Sequence, residues 1–278
     1  MPVPEKPLST VLVGDAISAV RSLPDRSVDL VVTSPPYWAK AKYSDDEQEL
    51  GITGIDDYVE YLVALFSEIE RVLQPHGLVW INLGDTAAGS GGSGGDYNAG
   101  GSRDSRLGFR QVDPGMPKKQ WCLVPWRVAS SLQSSGWLVR SVVTWDKGRN
   151  KRESLSHAKR PGDRWEPVFL LAPAAHNRNK LVYNWHPDRM TEMGNVWKVP
   201  PTRSDWHPAP FPQELVRRCM EPVDYSVVLD PFAGSGTVGL VAAEQGKESV
   251  LVELVPEFAD RIAAVMRPVA DVRVKHVG

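Results

Sequence analysis

Short apolar runs rich in β-branched residues alternate along this chain with stretches in which apolar positions recur every three or four residues. Residues 10–13 (TVLV) and 28–33 (VDLVVT) are such runs, bounded by Gly14-Asp15 and by Pro35-Pro36, and they predict buried parallel strands. Residues 16–23 between them predict a short helix. From Asp56 to Leu73 the apolar positions Tyr58, Leu62, Leu65, Phe66, Ile69 and Leu73 keep helical spacing, with Asp56 placed to cap and Pro75 and Gly77 to stop. Residues 78–83 predict a third strand. Strand and helix in alternation predict an α/β sheet.

The alternation breaks at 84–115, which hold 10 of the chain's 23 glycines together with many serines. This segment carries too little apolar surface to offset the entropy of ordering it, so a mobile loop is expected. The pattern resumes with a helix near 124–132 and strands at 137–145 and 168–171, followed by a Pro- and Trp-rich irregular region to about Phe211. Residues 213–220 predict a short helix, 226–230 a strand, 237–245 a helix, 249–253 a strand and 256–266 a helix. No repeat is visible at periods of about 20 to 50 residues.

Composition restricts the class. The chain has 278 residues, 42% hydrophobic and 24% charged, which suits one large or two small ordered domains. No apolar run approaches the roughly 18 to 20 residues that span a bilayer, and residues 1–10 lack an apolar stretch behind a basic patch. Membrane insertion and export are therefore not expected. Only Cys122 and Cys219 are present, too few for a disulfide framework or a zinc cluster, which fits a reducing cytoplasm; no metal is expected. The net charge of −2 argues at first against a nucleic-acid partner. It conceals an uneven distribution, because residues 140–189 hold 11 Lys or Arg against 5 Asp or Glu, a local +6 that leaves −8 for the remainder.

Two motifs carry candidate chemistry. LDPFAGSGTVG places Gly234, Gly236 and Gly239 in G-x-G-x-x-G spacing between a predicted strand and a helix. Glycines there permit a tight turn and close backbone approach, and the helix start offers free N–H groups. Glu253, 17 residues past Gly236, ends the next strand, where an acid can accept from ribose hydroxyls. This reads as an adenosine-containing cofactor site and by itself leaves NAD and S-adenosylmethionine open. A dinucleotide fold beginning here would need a second half downstream, and only about 40 residues remain, so position weighs against NAD. No Lys follows the last glycine of AGSGT, so it is not a Walker loop.

The strand at 28–33 ends in Ser34-Pro35-Pro36-Tyr37-Trp38, and ligands of open α/β sheets sit at such strand ends. Two prolines remove two N–H donors and fix φ, leaving Ser34 and the Pro35 carbonyl as rigid acceptors beside the flat face of Tyr37. Acceptors and an aromatic plate suit an exocyclic amine on an aromatic ring. Hydrogen bonds drawn from both N–H groups free the delocalised lone pair, which can then displace a sulfonium methyl in line.

TSPPYW ahead of DPFAGSGT, together with GDAISAVRSLPDRSVDLVV, VPWRVASSLQSSGWLVRSVVTWDK and HPAPFPQELVRRCM, resembles the beta class of DNA amino-methyltransferases over nearly the whole chain. The resemblance implies an α/β fold, a Rossmann-like class I S-adenosylmethionine-dependent methyltransferase sheet in permuted order, with a smaller irregular target-recognition region. It implies a catalytic half at 1–83, the loop at 84–120, a helix and strand at 121–146, a basic and aromatic target-recognition region at 147–206 with a returning strand near 165–172, and a cofactor half at 207–278. Catalysis would fall to Ser34, Pro35, Pro36 and Tyr37. S-adenosylmethionine would be held by Asp230, by Phe232, Ala233, Gly234, Ser235, Gly236 and Thr237 around its methionine portion, by Glu253 at the ribose and by Asp15 near the adenine edge. His207, Phe211 and Pro212 match the segment that closes over it. Ser34 at the first motif position and Trp38 resemble the cytosine-N4 enzymes, whereas Asp-Pro-Pro-Tyr is commoner in adenine-N6 enzymes.

Double-stranded DNA is the implied partner, and a cognate restriction endonuclease and the oligomeric state stay open. The basic segment offers Lys147, Arg149, Lys151, Arg152, Arg160 and Arg164 for phosphates, with Arg149 and Arg164 able to read guanine edges. A paired base cannot reach a pocket behind Tyr37, so base flipping is expected. Arg103, Arg106, Arg110, Lys118 and Lys119 suggest that the Gly/Ser-rich loop folds around DNA. The competing readings are an adenine-N6 methyltransferase, an NAD-dependent oxidoreductase, a non-catalytic DNA-binding module, and a protein glutamine methyltransferase, whose Asn-Pro-Pro-Tyr the chain lacks.

Overall fold

A computed structural model describes residues 5–38, 50, 54–88, 116, 117, 119–148, 163–174, 184–207 and 209–278. Its elements in chain order are β1 (Leu8–Val13), α1 (Ala16–Arg21), β2 (Val28–Thr33), α2 (Ile55–Val72), β3 (Leu73–Asn82), α3 (Val124–Ser134), β4 (Trp137–Asp146), β5 (Trp165–Pro173), α4 (Pro187–Met193), β6 (Val196–Lys198), α5 (Gln213–Met220), β7 (Val227–Asp230), α6 (Thr237–Glu244), β8 (Glu248–Glu253), α7 (Pro256–Met266) and β9 (Asp271–His276). The strands join one sheet in the order β6-β4-β5-β3-β2-β7-β8-β1-β9. Among the described strands only β5 runs antiparallel to its neighbours, β3 and β4.

Both faces of this sheet are covered, which is why its central strands read as continuous apolar runs rather than alternating ones. Val31, Val79, Ile81, Phe169 and Leu171 pack toward α1, α2 and α3, while Leu30, Val32, Leu78, Trp80, Val168 and Leu170 pack toward α5, α6 and α7. The chain moves one way from β2 to β3 and the other way from β7 to β8, so a topological switch point lies between adjacent β2 and β7. Asp29 clamps that junction, its Oδ2 accepting the N–H groups of Ser226 and Val227 at 2.9 and 3.0 Å.

Several expectations need correction. Asp56 does not cap α2; Gly54 does, and its N–H donates to Asp57 Oδ2 at 3.2 Å. The helix α2 does end ahead of Pro75 and Gly77, at Val72, but those two residues lie inside β3. Val28 pairs with Leu73 and Leu30 with Leu78, so the intervening β3 residues form an excursion that needs no ladder hydrogen bonds. The irregular region contains α4 and β6, with Trp197 of β6 buried against Trp80. Strand β9 follows the last predicted helix and pairs with β1 at the sheet edge.

Residues 86–88 pair with 120–122, so the two ends of the Gly/Ser-rich segment are held together. The expected mobile loop between them falls almost entirely outside the described residues, as do Arg103, Arg106, Arg110 and Lys118. No described helix is long and apolar enough to cross a membrane. Among the described residues no cluster of His, Cys, Asp and Glu could hold a metal ion.

Candidate active site

Parallel strands align their carboxyl ends, and here those ends open on one cavity of about 300 Å³. Asp15 follows β1, Ser34 follows β2, Asn82 ends β3, Lys147 follows β4, Asp230 ends β7 and Glu253 ends β8; antiparallel β5 contributes Glu166 from its start. The two sequence motifs, about 200 residues apart in the chain, thus line one space. They are joined directly, since the Thr33 hydroxyl donates to Asp230 Oδ1 at 2.7 Å across the switch point.

On the glycine side, Asp230 Oδ1 also accepts the Phe232 N–H at 3.1 Å and orients the turn. The carboxylate of Glu253 braces the turn from the next strand, accepting from Gly234 N–H and Val255 N–H, each at 3.0 Å. Gly234 has φ +51°, and a Cβ there would stand 2.8 Å from His207 Nε2, so both backbone shape and close approach demand glycine. Gly236 does not line the cavity; at φ +75° it starts α6 and orients the turn from below. Phe232, Ala233, Gly234, Ser235 and Thr237 do line it, with the Ser235 and Thr237 hydroxyls 2.9 Å apart.

Burial dominates the electrostatics here. It pushes Glu253 up to about 7 against the opposing backbone N–H groups, and Asp230 up to about 7 with a smaller contribution from the charge of Glu253. His207 is pushed down to about 4 by burial and is neutral near pH 7. Its ring packs edge-on against Trp206 and Phe258, and together with Phe211 and Pro212 it walls the cavity. Asp15 is doubly engaged: Oδ1 caps α1 through the Ser18 N–H at 2.9 Å, and Oδ2 accepts the Tyr61 hydroxyl at 2.5 Å. Burial, followed by that carboxylate, holds the Tyr61 phenol far above its ordinary value.

Opposite lies the proline segment. The Tyr58 hydroxyl donates to the Pro36 carbonyl at 3.0 Å and fixes its path. Ser34 Oγ stands 3.4 Å from Asn82 Oδ1 and 3.5 Å from the Tyr37 hydroxyl. The single phenolic proton of Tyr37 has two acceptors in reach, Asn82 Oδ1 at 2.7 Å and Glu166 Oε2 at 2.9 Å. Lys147 Nζ meets the other oxygen of Glu166 at 2.5 Å and sits 4.7 Å from the centroid of the Trp145 ring. Donors, acceptors and an aromatic plate therefore face the buried carboxylates across one cavity.

Every expected catalytic residue and every expected cofactor residue except Gly236 lines this space. The expected DNA contacts fare differently. Trp38 is 3% exposed and belongs to the hydrophobic core rather than facing a partner. Arg164 gives both Nε and Nη2 to Asp146, each at 2.7 Å, which holds the Asp146 carboxyl down to about 2 and occupies the edge expected to read guanine. Lys147 lines the cavity. Arg149, Lys151, Arg152 and Arg160 fall outside the described residues. Asn82, Glu166, Tyr61 and Trp145 escaped the sequence reading. For Glu166 the signal was a lone acid in an otherwise apolar strand, and for Asn82 a polar residue at the carboxyl end of one.

Comparison with known proteins agrees with this architecture. The profile of the N6/N4 methyltransferase family, described as DNA methylase, matches residues 28–264. The type II methyltransferase M.XycI of Xanthomonas campestris pv. cyanopsidis is 38% identical over 277 residues, covering 91% of this chain and 87% of that protein. The fold resembles the PvuII DNA methyltransferase (cytosine-N4-specific), with TM-score 0.67, 18% identity, and coverage of 94% of this chain and 88% of that one. It also resembles a putative DNA modification methylase of Thermus thermophilus solved with S-adenosyl-L-methionine, with TM-score 0.64, 23% identity, and coverage of 97% and 100%. The mixed sheet is that of a class I methyltransferase.

Proposed function

The chain belongs to the N6/N4 DNA methylase family, and from that premise we propose that it transfers the methyl group of S-adenosylmethionine to the exocyclic N4 of a cytosine flipped from duplex DNA. The observation that carries this reading is the convergence of Ser34–Tyr37 and Asp230–Glu253 on one cavity across the Thr33–Asp230 bond. The residues fit the cofactor. The close approach of the Gly234 turn to His207, two buried carboxylates and a cavity of about 300 Å³ suit an adenosine-bearing ligand.

In this proposal Glu253 accepts from the ribose hydroxyls, the turn from Phe232 to Thr237 surrounds the methionine portion, and Asp15 lies by the adenine. His207, Phe211 and Pro212 shield the site from water. When bound, S-adenosylmethionine supplies an electrophilic methyl on a sulfonium. Ser34 and the Pro35 carbonyl accept the two N–H bonds of the target amine and turn its lone pair outward, while Tyr37 stacks on the ring. The nitrogen forms its bond to the methyl carbon as the carbon–sulfur bond breaks, and the methylated amine then gives up one proton to water. No covalent protein intermediate is needed.

Ser34 at the head of Ser-Pro-Pro-Tyr-Trp favours cytosine over adenine. The likeness to type II methyltransferases supports a sequence-specific role as the modification partner of a restriction endonuclease, acting in the cytoplasm. The test is to incubate the purified protein with mixed-sequence DNA and S-adenosylmethionine, then digest to nucleosides for mass analysis. N4-methylcytosine is expected; N6-methyladenine would move the reading to the other branch of the family, and unmodified DNA would end it.

A further inference from the structure

The ion pair of Lys147 and Glu166 occupies the target-side wall of the cavity and has no part in the mechanism above. Register explains why the pair exists: Trp145 of β4 lies opposite Glu166 of β5, and the Lys147 N–H bonds the Arg164 carbonyl at 2.9 Å, so Trp145, Lys147 and Glu166 cluster at one end of the hairpin. The Glu166 side chain is only 11% exposed and that of Lys147 27%. Partly buried ion pairs add little to stability, because desolvation offsets the attraction, so stability is a poor reason for one here. An ammonium has three donors. Glu166 takes one and the Trp145 face attracts the charge, which leaves donor capacity at a fixed point of the wall shared with Ser34, Tyr37 and Asn82.

Cytosine and adenine look alike at the reacting edge, since each carries an amine beside an unprotonated ring nitrogen. They differ one atom further along, where cytosine has the C2 carbonyl and adenine a C–H bond. We propose that Lys147 is the specificity residue that donates to this carbonyl of the flipped cytosine, and that Glu166 is its positioning residue. The inference rests on the cytosine reading and adds its selection rule. Cytosine satisfies a further N–H of the ammonium; adenine would face it with a C–H and leave that desolvated donor without an acceptor, the charge itself staying paired with Glu166. Glu166 fixes the ammonium through Oε1 and receives the Tyr37 hydroxyl at Oε2, so the ring proposed to stack on the base and the group proposed to read it are held by one carboxylate.

The experiment uses the full chain, radiolabelled S-adenosylmethionine and two duplexes that differ only at the mapped target position. One carries cytosine, the other a 2-aminopyridine C-nucleoside that keeps the amine and the ring nitrogen but has C–H in place of the carbonyl. Wild-type protein is expected to favour cytosine in kcat/KM by on the order of 100-fold. Lys147→Met should bring the two within about threefold by losing rate on cytosine alone, with S-adenosylmethionine affinity unchanged by calorimetry; Glu166→Gln should fall between. Equal rates on both duplexes with wild-type protein would overturn the inference without any variant, while leaving cytosine methylation intact. Methylation of adenine and not cytosine would instead overturn the proposed function.

Discussion

The proposed ribose contact of Glu253 predicts a pH dependence of cofactor binding whose sign follows from its burial. Its carboxyl accepts two backbone N–H groups at 3.0 Å each, yet burial prevails and raises it to about 7. In the proposed contact the ionised carboxylate is the stronger acceptor for the ribose hydroxyls, so below pH 7 cofactor binding is expected to expel a proton. Affinity should then rise tenfold per pH unit well below 7 and level off above it. With a value of about 7, roughly 3% of the carboxyl is ionised at pH 5.5, so Kd for S-adenosylmethionine should be about 30-fold weaker there than at pH 8.5. His207, held near 4 by burial, stays neutral across this window. Calorimetry in buffers of different ionisation enthalpy yields both Kd and the proton count. Glu253→Gln keeps the volume but turns one acceptor into a donor that confronts a backbone N–H, so affinity at pH 8.5 should fall by about 1–3 kcal/mol and the slope should flatten. Slope common to both proteins belongs to Asp230, also raised to about 7 in the same cavity, or to the ligand's own groups. A wild-type Kd constant within about twofold from pH 5.5 to 8.5, or an identical slope in Glu253→Gln, would show that Glu253 does not lose a proton on cofactor binding.

Stability should move the opposite way in the unliganded protein. Asp230 and Glu253 both have folded values raised above their unfolded ones, so their contribution is full below about 4 and is lost as pH rises through 7, which a falling Tm from pH 5 to 8 would register. Ser34→Ala and Tyr37→Ala should abolish turnover with cofactor affinity nearly intact; full kcat in Tyr37→Ala would remove its stacking role. Tyr37→Phe keeps the ring but withdraws the proton shared by Asn82 and Glu166, and kcat should drop about 10- to 100-fold in a single-turnover assay. Gly234→Ala, at φ +51° and against His207, should cost about 1–2 kcal/mol of backbone strain and weaken S-adenosylmethionine binding at least about tenfold by calorimetry. Asp29→Ala removes the acceptor of two N–H groups remote from the cavity, so the denaturant midpoint should fall by an equivalent of about 2 kcal/mol while kcat holds.

What the sequence reveals depends on whether the determining contacts are local. Strand β2 is legible because burial on both faces makes it a solid apolar run, and α2 because one of its faces is buried along its length. The Gly234 turn and the Ser34–Tyr37 segment are legible because their conformations are written in glycine and proline. Lys147 and Glu166 are not, since their pairing depends on the register of antiparallel β4 and β5 rather than on neighbours in the chain. Trp38 adjoins the motif but turns toward the core, which proximity in sequence cannot tell. Strand β9 alternates Val272 and Val274 with charged residues, as a half-solvated edge strand does, and so lacks the continuous apolar signal of its neighbours.

Methyl transfer to cytosine N4 at a defined DNA sequence is the proposed activity. Sequencing that maps modified positions in long mixed-sequence DNA, treated with the protein and S-adenosylmethionine, tests target base and context together. N4-methylcytosine is expected at one position of a single short recurring sequence, and none with the Ser34→Ala protein. Modified adenines, or methylcytosines scattered without a common sequence, would contradict it.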